Sequence, residues 1–103
     1  MSSEKRLYVC SPKGTPPGVP GTPAAYANCC KCGLDLVYDA RNKKRIKALR
    51  LKFYCRDCAA DVVLHAGTTV SADVRGMDNG GESTKGVQEF VEHVIDTAKR
   101  RPN

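Results

Sequence analysis

Two Cys-x-x-Cys pairs constrain this chain more than any other feature of its sequence. The first pair is Cys29 and Cys32, and the second, Cys55 and Cys58, begins after 22 intervening residues. Gly33, directly after the first pair, permits the tight turn of a metal knuckle. Four thiolates complete the closed tetrahedron of sulphur ligands that zinc prefers. The spacing therefore predicts a Zn²⁺ site whose ligands are Cys29, Cys32, Cys55 and Cys58.

The rest of the composition indicates that the chain needs such a cross-link. Only 20 of its 103 residues are Leu, Ile, Val or Phe, Trp is absent, and 27% of the residues are charged. A chain of this size with few large apolar side chains gains little stability from burial alone, so small domains of this kind usually add a metal or disulfides. We therefore expect a small domain in which zinc supplies part of the folding free energy.

Other uses of the cysteines stay open at this point. A disulfide framework is the main alternative, but the N-terminal residues lack the apolar segment of a secretory signal, and this favours a reducing, cytoplasmic location. A Cys-x-x-Cys redox pair is a further alternative. Cys30 is an alternative to Cys29, although its Cys-x-Cys spacing to Cys32 is geometrically tighter. Cys10 and Cys30 are then leftover thiols, either ordinary side chains or parts of a sensor or second-metal role.

The positive charge is concentrated in one segment. Residues 31–56 contain nine Lys and Arg against two Asp, a balance of +7, whereas the whole chain carries +6. Such a concentration favours an anionic partner, although a solvated loop has the same composition. Within the cysteine motifs, Lys31 and Arg56 are candidates to offset the thiolate charge. The candidate nucleic-acid-binding residues are Arg41, Lys43, Lys44, Arg45, Lys47, Arg50 and Lys52.

Periodicity divides the chain into three segments. Residues 1–27 contain a short strand at 5–10 and a Pro/Gly-rich loop or linker at 11–23, where five prolines exclude a helix or a central strand. Residues 28–67 form the four-cysteine finger. Alternating apolar and polar residues at 34–39 and 49–54 predict a β-hairpin whose polar turn at 40–47 has room for a short helical turn, and residues 57–66 predict a short helix capped by Asp57 and ended by Gly67.

Residues 68–103 contain the clearest helix of the sequence. They begin with a β-prone stretch at 68–74 and a Gly-rich loop at 77–83. Apolar residues then recur at helical spacing along one stripe of an amphipathic helix at 84–101. This stripe either packs on the zinc-bearing core or docks a partner or a second copy. The stripe consists of Val87, Phe90, Val91, Val94, Ile95 and Ala98.

The order of these elements resembles a treble-clef zinc finger, and in particular the zinc finger of the DksA/TraR family of RNA-polymerase-binding proteins. The match consists of Cys29-x-x-Cys32-Gly33, the stretch 45–49 (Arg-Ile-Lys-Ala-Leu), and Cys55-x-x-Cys58. GATA-type fingers share the four-cysteine layout. The resemblance covers about 30 of the 103 residues. It implies the fold of the finger but not the polymerase activity, because the Pro-rich segment stands where that family has its long helix.

The sequence therefore predicts a small α+β zinc-binding domain with a treble-clef-like finger (knuckle, β-hairpin, short helix) and an amphipathic C-terminal helix. A closed site of four cysteines has no open position for a substrate, so we expect no enzyme activity. The favoured function is binding of DNA or RNA through the basic hairpin, in association with transcription. The alternative is a protein–protein adaptor with a purely structural zinc site and a partner such as the transcription machinery. No stretch is long and apolar enough to span a membrane.

Overall fold

The chain combines a sheet with helices, which confirms the predicted α+β class. The computed structural model describes residues 5–66, 69–79 and 83–100. The strands are β1 (Lys5–Pro12), β2 (Ala24–Asn28), β3 (Asp35–Asp39), β4 (Lys52–Cys55) and β5 (Val70–Val74). The helices are α1 (Lys43–Leu49), α2 (Arg56–His65), α3 (Arg75–Asp78) and α4 (Ser83–Arg100), and a short 3-10 helix covers Ala40–Asn42.

The central element is β1, which pairs in parallel with a strand on each side. Leu7 lies opposite Lys52 of β4, and Lys5 lies opposite Val70 of β5. Residues 7–10 are each at most 1% exposed. A parallel strand covered on both faces needs apolar side chains at successive positions, and the run Leu-Tyr-Val-Cys provides them. The predicted strand at 5–10 is therefore present and extends two residues further.

The two faces of this sheet carry two different layers. Leu7 and Val9 belong to a core cluster with side chains of α2, α3 and α4, among them Phe90. Tyr8 and Cys10 belong to a second cluster with side chains of β2, β3 and α1. Because neighbouring side chains of a strand point to opposite faces, the sheet lies between two layers.

The first cysteine pair lies in the turn between two antiparallel strands. β2 and β3 pair from Ala24 opposite Asp39 to Asn28 opposite Asp35, and residues 29–34 connect them. The far end of β1 joins this pair, with Ser11 opposite Val37. The knuckle is thereby attached to the carboxyl end of the central strand.

The predicted β-hairpin over residues 34–54 is wrong. β3 pairs with β2 and β1, and β4 pairs with β1 on the parallel side, so β3 and β4 are not partners. The polar connection between them is helical, and Leu49 ends α1 instead of beginning a strand. Ile46 is buried in the second core cluster. Burial of this side chain gives α1 an anchor on the sheet, which local alternation of residues does not indicate.

Two helix boundaries also differ from the predictions. α2 begins directly after Cys55, whose sulphur accepts a hydrogen bond from the Cys58 N–H at 3.4 Å, so Cys55 and not Asp57 is the cap. Met77 and Asp78 belong to α3 and not to a Gly-rich loop. The remainder of that loop at 80–82, like the predicted stop at residue 67, lies outside the described residues.

The Pro-rich segment was predicted to contain no helix and no central strand, and only part of it agrees. Ser11 and Pro12 form the end of β1, the central strand. Residues 13–23 contain neither a helix nor a strand. Pro12 fits at the end of a strand because its missing N–H falls where the parallel ladder stops.

The apolar stripe of α4 is only partly in the core. Phe90 is 7% exposed and packs in the first cluster together with Val94. Val87, Val91 and Ile95 are 50%, 49% and 50% exposed. The face of α4 that meets the core is thus rotated away from the centre of the stripe. Among the described residues, no helix combines the length and the apolar character needed to cross a membrane.

Gly76 provides a test of the packing between α3 and β1. A Cβ atom at this position would lie 2.5 Å from the Val9 carbonyl oxygen and 2.9 Å from the Cys10 sulphur. Because these neighbours belong to the most buried strand, we expect Gly76→Ala to lower the free energy of unfolding by about 2 kcal/mol, measured by urea denaturation. Ser71→Ala on exposed β5 is the control and should change it by less than about 0.5 kcal/mol. A Gly76→Ala variant as stable as the wild type would contradict this packing.

Candidate metal centre and basic surface

The four cysteines of the two motifs come from two kinds of local structure. Cys29 and Cys32 lie in the β2–β3 turn, which closes through hydrogen bonds from the Gly33 N–H to the Cys29 carbonyl and from the Cys29 N–H to the Leu34 carbonyl, both at 2.9 Å. Gly33 has a φ of +79°, where a side chain would be strained. Cys55 ends β4 and Cys58 lies in the first turn of α2. A knuckle and a helix N-terminus therefore face each other.

The four sulphur atoms form a cluster that can bind a metal ion. All of them lie within 4.8 Å of one another. Sulphurs at about 2.3 Å from a tetrahedrally coordinated zinc are about 3.8 Å apart, and the sulphurs of Cys32 and Cys55 are separated by 3.7 Å. Cys29 and Cys55 are buried, whereas Cys32 is exposed. The donor set and its spacing fit an ion of the size and chemistry of zinc.

Backbone amide groups stabilise the thiolate form of one of the four cysteines, Cys29. Burial opposes ionisation of Cys29, but N–H groups of Cys32, Cys55 and Lys31 donate to its sulphur and together lower its pKa to about 6. At Cys55 and at Cys58 burial dominates and raises the pKa. A coordinated dication overrides such shifts, since it stabilises the thiolates directly. Metal binding would therefore release protons from Cys55 and Cys58.

The two remaining cysteines lie outside this cluster. Cys10 is fully buried at the end of β1, and burial raises the pKa of its thiol. Cys30 is exposed, and its N–H donates to the Phe53 carbonyl at 2.9 Å. All six cysteines are free thiols in this structure. Of the two candidates for the first ligand, Cys29 lies in the cluster and Cys30 does not.

Other polar side chains near the motifs are paired with carboxylates. Lys31 lies 3.6 Å from Asp61 of α2, and His65 lies 3.9 Å from the same residue. His93 of α4 lies 2.7 Å from Asp57 of α2. The Lys31–Asp61 pair links the knuckle to α2, and the His93–Asp57 pair links α4 to α2. Neither histidine belongs to the metal-binding group found among the described residues.

The predicted nucleic-acid-binding residues do not lie on a hairpin. Arg41 lies in the 3-10 helix, four residues lie in α1, Arg50 follows α1, and Lys52 begins β4. Two of them are paired: Arg41 with the buried carboxylate of Asp39, whose pKa it lowers through its side-chain hydrogen bonds, and Arg45 with Asp73 at 2.9 Å. The other five are exposed, and their side chains have no hydrogen bond or ion pair with a described residue. These five cations are Lys43, Lys44, Lys47, Arg50 and Lys52.

Sequence reasoning missed Lys5 and Arg6 as members of this surface. Together with Arg50 and Lys52, they line a hollow of about 730 Å³ at the amino ends of β1 and β4. In the sequence these two residues show no functional role, because they lie more than 40 positions from Arg50 and Lys52. The sequence feature that could have indicated them is a Lys-Arg pair at the start of a strand. This feature indicates a basic surface only once β1 is known to pair with β4.

Comparison with known proteins gives no relative for this chain: no protein-family model, curated protein or solved structure matches it.

The cluster predicts a defined metal content and a defined effect of its removal. We expect about one zinc ion per chain by metal analysis, and we expect Cys55→Ser to lose both the ion and the fold around it. Structural zinc contributes on the order of 10 kcal/mol of folding free energy in small domains. Cys30→Ser is the matched control, since Cys30 neighbours the knuckle but lies outside the cluster. If Cys55→Ser keeps as much zinc as Cys30→Ser and the wild-type protein, the cluster is not the metal site.

Proposed function

We propose that this chain is a small zinc-finger protein that binds nucleic acid through a basic surface formed by α1 and β4. The observation that carries the proposal is the group of five exposed cations without a carboxylate partner among the described residues. Their positions are fixed, because Ile46 anchors α1 and the pairing with β1 anchors β4. Cations on backbone that is already ordered can contact phosphates without the entropic cost of ordering a loop.

Zinc has a structural role in this proposal. The cluster joins the β2–β3 turn to the end of β4, the same strand that carries Lys52 at its other end. Four thiolates and one dication leave the site with a charge of about −2 and no open position for a substrate. The knuckle and the helix N-terminus that hold the cysteines support the treble-clef resemblance, and a transcription-associated role is the expectation that this resemblance adds.

The salt dependence of binding tests the proposal. If the five cations contact about five phosphates of a duplex, the logarithm of the affinity should fall against the logarithm of salt with a slope of about −4.5. Replacing the four lysines by Gln and Arg50 by Gly should abolish most of this dependence. Gly suits position 50, where φ is +53°. Zinc content should not change, because none of the five is a ligand.

A second variant, with three cations replaced instead of five, tests whether exposed cations elsewhere have the same effect for each charge removed. Lys85, Lys99 and Arg100 of α4 are exposed cations outside the proposed surface. Replacing them by Gln should lower the slope much less than the α1–β4 substitutions do. Undetectable nucleic-acid binding by the wild-type protein, or an equal loss in both variants, would contradict the proposed function.

Docking through α4 is a second candidate function, and the half-exposed stripe of Val87, Val91 and Ile95 favours it. We infer that the partner is a second copy. α4 carries three basic and three acidic residues besides His93, whereas the chain as a whole has a charge of +6, so two such helices meet without net repulsion. An antiparallel pair centred on Val91 places Val87 against Ile95 of the other copy, as a two-fold interface requires.

The oligomeric state tests this second candidate. We expect a concentration-dependent dimer in sedimentation velocity, which Val91→Asp should dissociate by burying a charge at the centre of the stripe. Val19→Asp is the control, because Val19 has the same 49% exposure as Val91 but lies in the Pro-rich segment. A wild-type protein that stays monomeric at high concentration would overturn self-docking and leave the nucleic-acid proposal unaffected.

A further inference from the structure

We propose that single-stranded nucleic acid, rather than duplex, is the ligand of this protein, and that it lies in a basic recess at the amino ends of β1 and β4. This inference rests on the proposed function and makes it specific. The recess is the hollow of about 730 Å³ lined by Lys5, Arg6, Arg50 and Lys52, with the last turn of α1 as one wall. The described residues that line it include no carboxylate.

A second hollow of about 430 Å³ adjoins the recess, since Arg6 and Leu49 line both. The second hollow adds Arg45 and Arg75, and its carboxylate is Asp73. Asp73 accepts hydrogen bonds from the Arg45 side chain at 2.9 Å and from the Arg75 N–H at 3.1 Å. Because these partners offset its charge, the two hollows together form one basic track across the edge of the sheet.

Three cations of the recess lie on backbone that is held by hydrogen bonds before any ligand binds. Lys5 is held by a hydrogen bond from its N–H to the Thr69 carbonyl at 3.0 Å, and Lys52 lies opposite Leu7 in the parallel ladder. Arg50 closes α1 in the left-handed conformation, with its N–H bonded to the carbonyl of Lys47. Binding therefore orders side chains but not backbone, which lowers its entropic cost.

The shape of the recess favours a single strand. A duplex presents its phosphates on the outside of a wide cylinder and would meet chiefly the convex, exposed face of α1 with Lys43, Lys44 and Lys47. An extended strand can enter a concave groove and bring successive phosphates to its floor. Pockets of about 300–1,000 Å³ hold ligands of drug size, so the hollow has room for about one or two nucleotides.

The recess offers phosphate contacts and little base recognition. Tyr54 lines it, but this residue is only 9% exposed, so its ring presents little surface on which a base could stack. Contacts to phosphates fix position without reading sequence. We therefore expect the affinity to depend steeply on salt concentration and to be similar for homopolymers of different bases.

Two charge-matched triple variants of the zinc-loaded full chain separate the recess from the convex face. The recess variant combines Lys5→Gln, Arg50→Gly and Lys52→Gln, and the α1 variant replaces Lys43, Lys44 and Lys47 by Gln. The probes are a fluorescein-labelled 12-nucleotide oligo(dT) and a 12-base-pair duplex, measured by anisotropy at several salt concentrations. Zinc content and circular dichroism check that each variant is folded.

The recess variant should lose at least tenfold in affinity for oligo(dT), and its salt slope should fall by about 2, or about 0.7 for each lost phosphate contact. The α1 variant should lose less than about threefold. The wild-type protein should bind oligo(dT) more tightly than the duplex. If the recess variant does not fold, the single Lys52→Gln variant should still lower the slope by about 0.7.

Several results would overturn the inference in distinguishable ways. Tighter binding of the duplex, or a greater loss of oligo(dT) affinity in the α1 variant, would remove the recess as the site while the proposed function stands. Displacement of oligo(dT) by polyglutamate of equal charge would identify an acidic polypeptide as the better ligand. Absence of binding to either nucleic acid would remove the inference and the proposed function together.

Discussion

The four-cysteine cluster is the interaction on which the arrangement of this chain depends. β3 and β4 do not pair, so the β2–β3 turn and the β4–α2 junction are joined instead by the cluster and by the hydrogen bond from the Cys30 N–H to the Phe53 carbonyl. A metal ion held by four thiolates stabilises such a junction by far more than one hydrogen bond does. The chain has few large aliphatic residues, and a metal ion bound here would compensate for a small core.

The cluster and the basic recess lie at opposite ends of the same strands. Cys55 ends β4 and Cys10 lies opposite it, near the carboxyl end of β1, whereas Lys5 and Lys52 begin the two strands. With a rise of about 3.3 Å per residue, the three steps from Lys52 to Cys55 separate the two ends by about 10 Å. This separation keeps the negative charge of a metal-bound thiolate cluster away from the cations that would meet phosphates. A structural metal and an anion-binding surface can therefore share one strand.

The accuracy of the sequence predictions depended on how local the determining interactions were. The strand at β3 and the helix α4 follow from side-chain periodicity, and they are present where the pattern indicates them. The hairpin prediction for residues 34–54 was wrong, because β3 and β4 each pair with β1, a segment distant in sequence, and not with each other. The Pro-rich segment separates β1 from this region in sequence, and β1 nevertheless pairs with β3, β4 and β5. Neither periodicity nor turn residues contain information about such pairing.

By itself the sequence determined the cysteine set, the concentration of charge in residues 31–56 and the amphipathic character of α4, because spacing and composition are local properties. Only the tertiary structure decided that Arg45 is paired, since Asp73 comes from β5 to meet it, whereas Arg41 pairs with Asp39 only two residues away. It also placed Lys5 and Arg6 beside Arg50 and Lys52 through the register of β1 against β4. The Arg45–Asp73 ion pair and the recess form between segments that are distant in sequence, so they exist only once the strands are paired.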